Sequence, residues 1–277
     1  MMVSLKRVLK LLLPPVIVQL VRKAGSKQSA NTFEGVYTNF EEIPGLTGYD
    51  SESSLANIEN ETLLKLKEYE SSASLPVAHN RSQITNSFPL LIASLNTQKK
   101  IVLDYGGGGG GTYLDCLGLI NMEKVEYYVH DLPETMEMGR KIFSDPARDQ
   151  YNIHFVDDVS EIDEIDIVYL GSVLQYLTDY KTVLLSIIKK QPRYFLITDN
   201  FMSKHLTFVT TQVNMPGRRM AYWIIQLEEI NSLFRNNGYR LNYRSTNFQP
   251  MHHFKNFPFE YRVNDSCNLL FERLDQL

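Results

Sequence analysis

Residues 101–116 read IVLDYGGGGGGTYLDC: an apolar run reaching Asp104, six consecutive glycines, then a stretch that resumes helix-forming residues. A strand, a glycine loop and a helix in that order form a site where main-chain N–H groups and the helix start face a ligand. Without Cβ atoms the loop lets that ligand come close. The run satisfies G-x-G-x-x-G at Gly106, Gly108 and Gly111, but among six glycines that match is nearly automatic. The flanking acids say more. Asp104 stands two residues before Gly106, which makes D-x-G-x-G-x-G through Gly106, Gly108 and Gly110.

From residue 100 onward, short apolar runs alternate with helical stretches, the pattern of βαβ units and a mostly parallel sheet. The expected strands are 100–104, 125–131, 152–158, 165–171 and 193–199, four of which end at an Asp. A doubly wound sheet binds its ligands at the carboxyl ends of the strands, where these acids would stand. Asp also starts turns and caps helices, so no one of them is decisive alone. A helix in QLEEINSLFRNNG (226–238) turns Leu227, Ile230, Leu233 and Phe234 inward, and YRLNYRS (239–245) and NLLFERL (268–274) read as two closing strands. The fold class is α/β.

Asp131, at the end of the second strand, can accept hydrogen bonds from both hydroxyls of a ribose. That suits NAD and S-adenosylmethionine equally. Asp104 tips the balance toward S-adenosylmethionine, whose cationic amino-acid end wants a nearby carboxylate, whereas a pyrophosphate is repelled by one. Asp157 or Asp158, ending the third strand, is placed to read an adenine amino group. A nicotinamide-dependent sugar oxidoreductase is the rival. Its short-chain type needs Tyr-x-x-x-Lys, and none of the sixteen tyrosines has Lys at the fourth following position.

The totals are those of an ordinary globular chain of 277 residues, 43% hydrophobic and 22% charged, enough for one substantial core. The net charge of −4 is unevenly spread. Residues 1–30 hold six bases and no acid, which leaves 22 of the 28 bases against 32 acids in the rest. An acidic body without Arg/Lys stripes argues against a nucleic-acid partner. Cys116 and Cys267 make neither a disulfide framework nor a metal site, which fits a reducing, cytoplasmic compartment and no metal.

The basic head, VSLKRVLKLLLPPVIVQLVRK (3–23), sets Leu5, Val8, Leu9, Leu12 and Leu13 on one helical face and Lys6, Arg7 and Lys10 on another. Pro14-Pro15 breaks it, and Val16, Ile17, Leu20 and Val21 resume on a second short helix. The segment is too short and too charged to span a bilayer, which takes about 20 apolar residues. An interfacial helix on an anionic membrane and a helix docked on the protein's own body or a partner both remain open. Residues 24–32 read as a linker, 33–51 as an irregular segment held by Phe33, Tyr37, Phe40 and Tyr49, and 54–70 and 82–96 as helices. The expected organisation is a helical segment 1–23, a linker and helical cap 24–98, and a ligand-binding domain 99–277.

VLDYGGGGGG (102–111), VHDLPETMEMGR (129–140) and IDIVYLGSVLQYL (165–177) resemble the first, second and fourth motifs of class I S-adenosylmethionine-dependent methyltransferases. Nearly end to end, the chain resembles a bacterial methyltransferase family associated with O-antigen and other surface-polysaccharide gene clusters. LLPP, FEGVYTNFEE, VLQYL, YFLITDNF and TTQVNMPGRRMAYWI carry that likeness. The resemblance implies a Rossmann-like sheet with a closing antiparallel strand, and O-methylation of a sugar or lipid-linked glycan precursor. It also implies S-adenosylmethionine held by Asp104, Gly106, Gly108, Gly110, Asp131, Leu132, Asp157, Asp158, Gly171 and Ser172.

An acceptor alcohol must also lose a proton. His252, His253, Asp199 and His205 are the candidate bases. Gln175, Gln212, Tyr222 and Trp223 are candidates for the acceptor wall, since aromatic faces stack on sugar rings. An enzyme acting on lipid-linked intermediates would sit at the inner face of the cytoplasmic membrane, which gives the basic head a role. A protein that binds S-adenosylmethionine without turnover, as a scaffold, is the remaining alternative.

Overall fold

The computed structural model describes residues 32–47, 52–71, 87–214, 217–248, 254–263 and 265–274. His252, His253, Tyr49 and the basic head lie outside them. The elements in chain order are β1 (Phe33–Tyr37), α1 (Glu52–Ser71), α2 (Ser87–Ser94), β2 (Lys100–Tyr105), α3 (Gly111–Leu117), β3 (Val125–His130), α4 (Pro133–Phe143) and β4 (Ile153–Phe155). There follow β5 (Ile167–Gly171), α5 (Tyr180–Ile188), β6 (Tyr194–Ser203), β7 (Phe208–Gln212), β8 (Met220–Gln226), α6 (Leu227–Asn236), β9 (Tyr239–Phe248) and β10 (Asp265–Arg273).

The main sheet runs β4-β3-β2-β5-β6-β10-β9, parallel from β4 to β6, with β10 antiparallel between β6 and β9. A parallel sheet whose order reverses beside its first strand, closed by one antiparallel strand slipped in before the last, is the Rossmann-like α/β arrangement expected from the sequence. Both faces of this sheet are covered. Val102, Ile167, Tyr169 and Leu196 pack with residues of α1 to α4 on one face. Their neighbours Leu103, Val168, Leu170, Phe195 and Ile197 pack with α5 and α6 on the other. A strand buried on both sides must be apolar at successive positions, which is why these segments read as continuous runs rather than alternations. Ring contacts lock the second face: Phe234 of α6 stacks on Phe271 of β10 at 4.0 Å. Each such buried ring contributes about 2–3 kcal/mol by area.

A second, smaller sheet branches from the carboxyl end of β6. That strand continues past Asp199 to Ser203, and its last two residues pair with β8 (Met202 with Ile225, Ser203 with Gln226). β8 pairs antiparallel with β7, and β7 with β1. The segment 33–37, expected to be irregular, is therefore a strand. It carries a register shift between Glu34 and Tyr37 at Gly35, whose φ is +74°, and Thr210 Oγ1 donates to the carbonyls of Glu34 and Gly35. Phe33 fills the pocket between the sheets with Phe201, Tyr222 and Phe254. No helix among the described residues is long and apolar enough to cross a membrane.

Candidate functional site

The carboxyl ends of β2, β3 and β5 open on a cleft of about 870 Å³, roofed by α1. Its floor is the glycine loop. Gly106 (φ +80°) and Gly108 (φ +60°) take left-handed conformations that L side chains rarely adopt, and Gly106 passes so close to Val173 that a Cβ would lie 2.4 Å from Cγ2. Gly110 serves as the cap of α3 and faces Ile153 and Phe143 instead of the cleft. Met138 closes on Gly109 and Asp104 on Gly107, while Thr62 and Ile58 of the roof helix approach Gly109 and Gly108 from the other side.

Asp131 stands at the mouth of the loop, directly after β3. Gly108 N–H donates to its Oδ2 at 2.8 Å and Leu132 N–H to its Oδ1 at 2.7 Å. Burial pushes its carboxyl up, against the pull of these two bonds and of His130. Each oxygen keeps lone pairs for a further donor. Beside it, His130 donates Nδ1–H to Val156 O at 3.1 Å, which fixes its tautomer, and its ring lies 4.8 Å from that of Tyr105.

Asp104 is placed differently. Only 1% of its surface is exposed, and it lies beneath the loop rather than along the cleft, accepting the Tyr127 hydroxyl at 2.7 Å. Side-chain alternation explains this, because residue 104 points into the face that Val102 also occupies. Of the third-strand pair, Asp157 lines the cleft and is held by Arg140 at 2.7 Å. Asp158 caps the short turn 159–161, where bonds from Ser160 pull its carboxyl down.

Gly171 and Ser172 line the far wall with Val173, Tyr176 and Leu177. Leu132 lines the near side. Gln175 is buried behind that far wall and donates Nε2–H to Ser172 Oγ at 3.1 Å. Gln212 lies off the cleft but accepts the hydroxyl of Tyr176 at 2.7 Å. Tyr222 is buried against Phe33, Tyr176 and Phe201, and Trp223 donates Nε1–H to Leu177 O at 3.1 Å while packing on Tyr180 and Phe40. Gln212, Tyr222 and Trp223 thus support the wall from behind.

The roof was not legible as part of a site. Ser54, Ile58, Glu61, Thr62 and Lys65 form a stripe along α1 that faces the loop. Lys65 Nζ bridges to Asp115 Oδ2 at 2.8 Å, and Arg218 donates to Ser54 Oγ. The only signal was the recurrence of small and polar residues at helical spacing within 54–65. Among the described residues no group of His, Cys, Asp and Glu could hold a metal ion.

No protein family and no curated protein matches the chain in sequence. Among solved structures it is similar to a Burkholderia thailandensis 1,6-didemethyltoxoflavin-N1-methyltransferase with bound 1,6-didemethyltoxoflavin and S-adenosylhomocysteine. There the identity is 14%, covering 84% of this chain and 93% of that one, with a TM-score of 0.47. It is also similar to a magnesium protoporphyrin IX methyltransferase from Synechocystis with bound S-adenosylhomocysteine, at 12% identity over 79% and 99%, with a TM-score of 0.48. A glycopeptide N-methyltransferase complexed with S-adenosylmethionine is similar at 11% identity over 73% and 99%, with a TM-score of 0.48.

Proposed function

We propose that this chain is an S-adenosylmethionine-dependent methyltransferase. The observation that carries the reading is Asp131: a half-buried carboxylate directly after β3, pinned by two main-chain N–H groups, beside a glycine loop at the end of the adjacent strand. In that position its free lone pairs suit the two hydroxyls of a ribose. The charge of the cleft suits the same ligand. Glu61, Asp131 and Glu134 line it together with Asp157, which is paired with Arg140, while its lysine, Lys65, is bonded to Asp115. That balance favours a cationic ligand over a pyrophosphate.

S-Adenosylmethionine, when bound, supplies a methyl group on a positively charged sulfur that an acceptor displaces in line. The protein's part is to hold donor and acceptor in register and to exclude water. Asp131 and the loop from Gly106 to Gly109 would hold the nucleoside, with Leu132 and Asp157 beside the base. α1 covers the cleft from above.

The acceptor we propose is a sugar or lipid-linked glycan precursor of a bacterial surface polysaccharide, on the strength of the sequence resemblance. The basic, amphipathic stretch 3–23 supports contact with an anionic membrane surface. Deleting it should move the protein from the membrane to the soluble fraction, and an unchanged distribution rejects that part of the proposal.

The cofactor reading is tested by calorimetric titration with S-adenosylmethionine, S-adenosylhomocysteine and NAD. We expect binding of the two sulfur compounds, none of NAD, and a loss of about 30-fold or more in Asp131→Ala, the worth of two charge-assisted hydrogen bonds. Binding of NAD instead would turn the assignment to redox chemistry on sugars.

A further inference from the structure

Directly after β5, and midway along β6, stand two residues in the left-handed region that are not glycine: Ser172 at φ 57° and Asp199 at φ 56°. Such residues are uncommon, and they persist only where the surroundings over-determine them. Here the surroundings do. The two strands are adjacent, with Gly171 opposite Thr198, and Ser172 N–H donates to Thr198 O at 3.0 Å. Asp199 N–H donates to Asn268 Oδ1 at 3.0 Å, and Asn268 is fixed in turn by its bond to Ser245. The two unusual residues meet: Ser172 Oγ–H donates to Asp199 Oδ2 at 3.4 Å.

A third group completes the arrangement. Gln175 is 1% exposed, its Nε2–H donates to Ser172 Oγ at 3.1 Å, and its Oε1 is buried without a hydrogen-bond partner. A buried amide that leaves its oxygen unpaired is costly. It does so here while orienting the Ser172 hydroxyl. A serine hydroxyl has one hydrogen and two lone pairs. With the hydrogen directed to Asp199 and one lone pair taken by Gln175, a single accepting position remains, on a residue that lines the cleft. Asp199 stands behind Ser172, off the cleft.

We propose that Ser172 and Asp199 form a proton-accepting pair at the acceptor end of the cleft, and that the acceptor is therefore an alcohol or amine carrying its proton on the attacking atom. This rests on the methyltransferase reading and adds the chemical class of the acceptor to it. As the acceptor oxygen or nitrogen bonds to the methyl carbon, the carbon–sulfur bond breaks and its electron pair stays on the sulfur, turning a sulfonium into a thioether. The acceptor's proton passes to Ser172 Oγ, and the proton of Ser172 passes to Asp199, whose carboxylate becomes neutral. A carboxylate acceptor has no proton to give and would meet the charge of Asp199. It is the class this pair selects against.

The test uses two cofactor analogues on the full chain. S-Adenosylhomocysteine has nothing in place of the transferred methyl group; sinefungin carries a primary amine there, on a carbon that replaces the sulfur, and so presents N–H donors and a positive charge to the acceptor end. Wild-type protein should prefer sinefungin by about 10-fold or more, from a charge-assisted bond to the pair. Asp199→Asn should reduce that preference to about twofold or less, with S-adenosylhomocysteine affinity changed by less than about threefold. Ser172→Ala should erase the preference as well, and Asp199→Glu should restore part of it. An equal ratio of the two affinities in wild type, or an undiminished ratio in both Asp199→Asn and Ser172→Ala, overturns the pair. Failure of wild-type protein to bind S-adenosylhomocysteine at all overturns the methyltransferase reading instead, and the pair with it.

Discussion

Tyr127 donates its hydroxyl to Oδ2 of Asp104 across 2.7 Å, in a place where the tyrosine has no exposed surface and the aspartate has 1%. The bond sits directly under the glycine loop, where the Asp104 carboxyl group is within van der Waals reach of Gly107. Burial pushes this carboxyl up to about 7; the Tyr127 bond pulls it back, the charge of Asp131 pushes it further, and Thr112 and Lys65 oppose. It supports the loop while remaining close to its protonation midpoint at neutral pH.

Stability should therefore fall as pH rises. The folded chain holds the Asp104 proton up to about pH 7, whereas an unfolded carboxyl gives it up near 3.8. Between these values the folded state binds more protons, so the contribution declines from about pH 4 to about pH 7 and is level above. Asp104→Asn, neutral throughout, should flatten the decline and gain at pH 8 on the order of 4 kcal/mol at most. Thermal unfolding of both proteins at pH 5 and pH 8 checks this; an equal decline in the variant would remove Asp104 as the source.

The loop glycines should differ in their tolerance of a methyl group. At Gly106 an added Cβ meets both a left-handed φ and Val173 at 2.4 Å, for a combined cost of about 2–4 kcal/mol. At Gly108 the nearest atom is Ile58 Cγ2 at 3.5 Å, ordinary contact, so only the conformational cost of about 1 kcal/mol applies. Urea denaturation of Gly106→Ala and Gly108→Ala should separate them. Adding Val173→Gly, which removes the Val173 Cβ that would lie 2.6 Å away as well as its methyl groups, should recover part of the first cost and none of the second, and equal costs at the two positions would contradict the geometry.

Trp223 is expected to matter for stability rather than for ligand binding. Trp223→Phe keeps the ring contacts with Tyr180 and Phe40 and loses the Nε1–H bond to Leu177 O. The loss should be about 1 kcal/mol, with S-adenosylhomocysteine affinity within about twofold of wild type. A drop beyond tenfold in calorimetry would instead place the indole in contact with the ligand.

The main sheet was legible because burial on both faces leaves a plain mark: successive apolar residues, as at Val102-Leu103 or Phe195-Leu196-Ile197, closing near an Asp. β7 left no such mark. Its Thr210 and Thr211 are fully buried yet polar, and Thr210 is satisfied by the backbone of β1 from far away in the chain. Position along a strand was readable for Asp131, which follows β3 and reaches the cleft. The direction of Asp104 was not, since it depends on which face of β2 meets Tyr127. Nor could the left-handed residues Ser172 and Asp199 be foreseen, because neither residue type demands them and both arise from how the end of β5 and the middle of β6 are held.

The branching of β6 into two sheets has a consequence for how the chain assembles. The main sheet draws its parallel strands from one continuous stretch, each strand paired with others nearby in sequence. The small sheet needs β1, and the bond from Thr210 to Glu34 closes a separation of 176 residues. Bringing such distant segments together is entropically slow unless a scaffold already exists to receive them. The parallel core should be the part that condenses first, and β1 should arrive last, as a late clasp on the strands that support Tyr176. During folding, the part of the cleft around the glycine loop would then take shape before the wall that holds Tyr176.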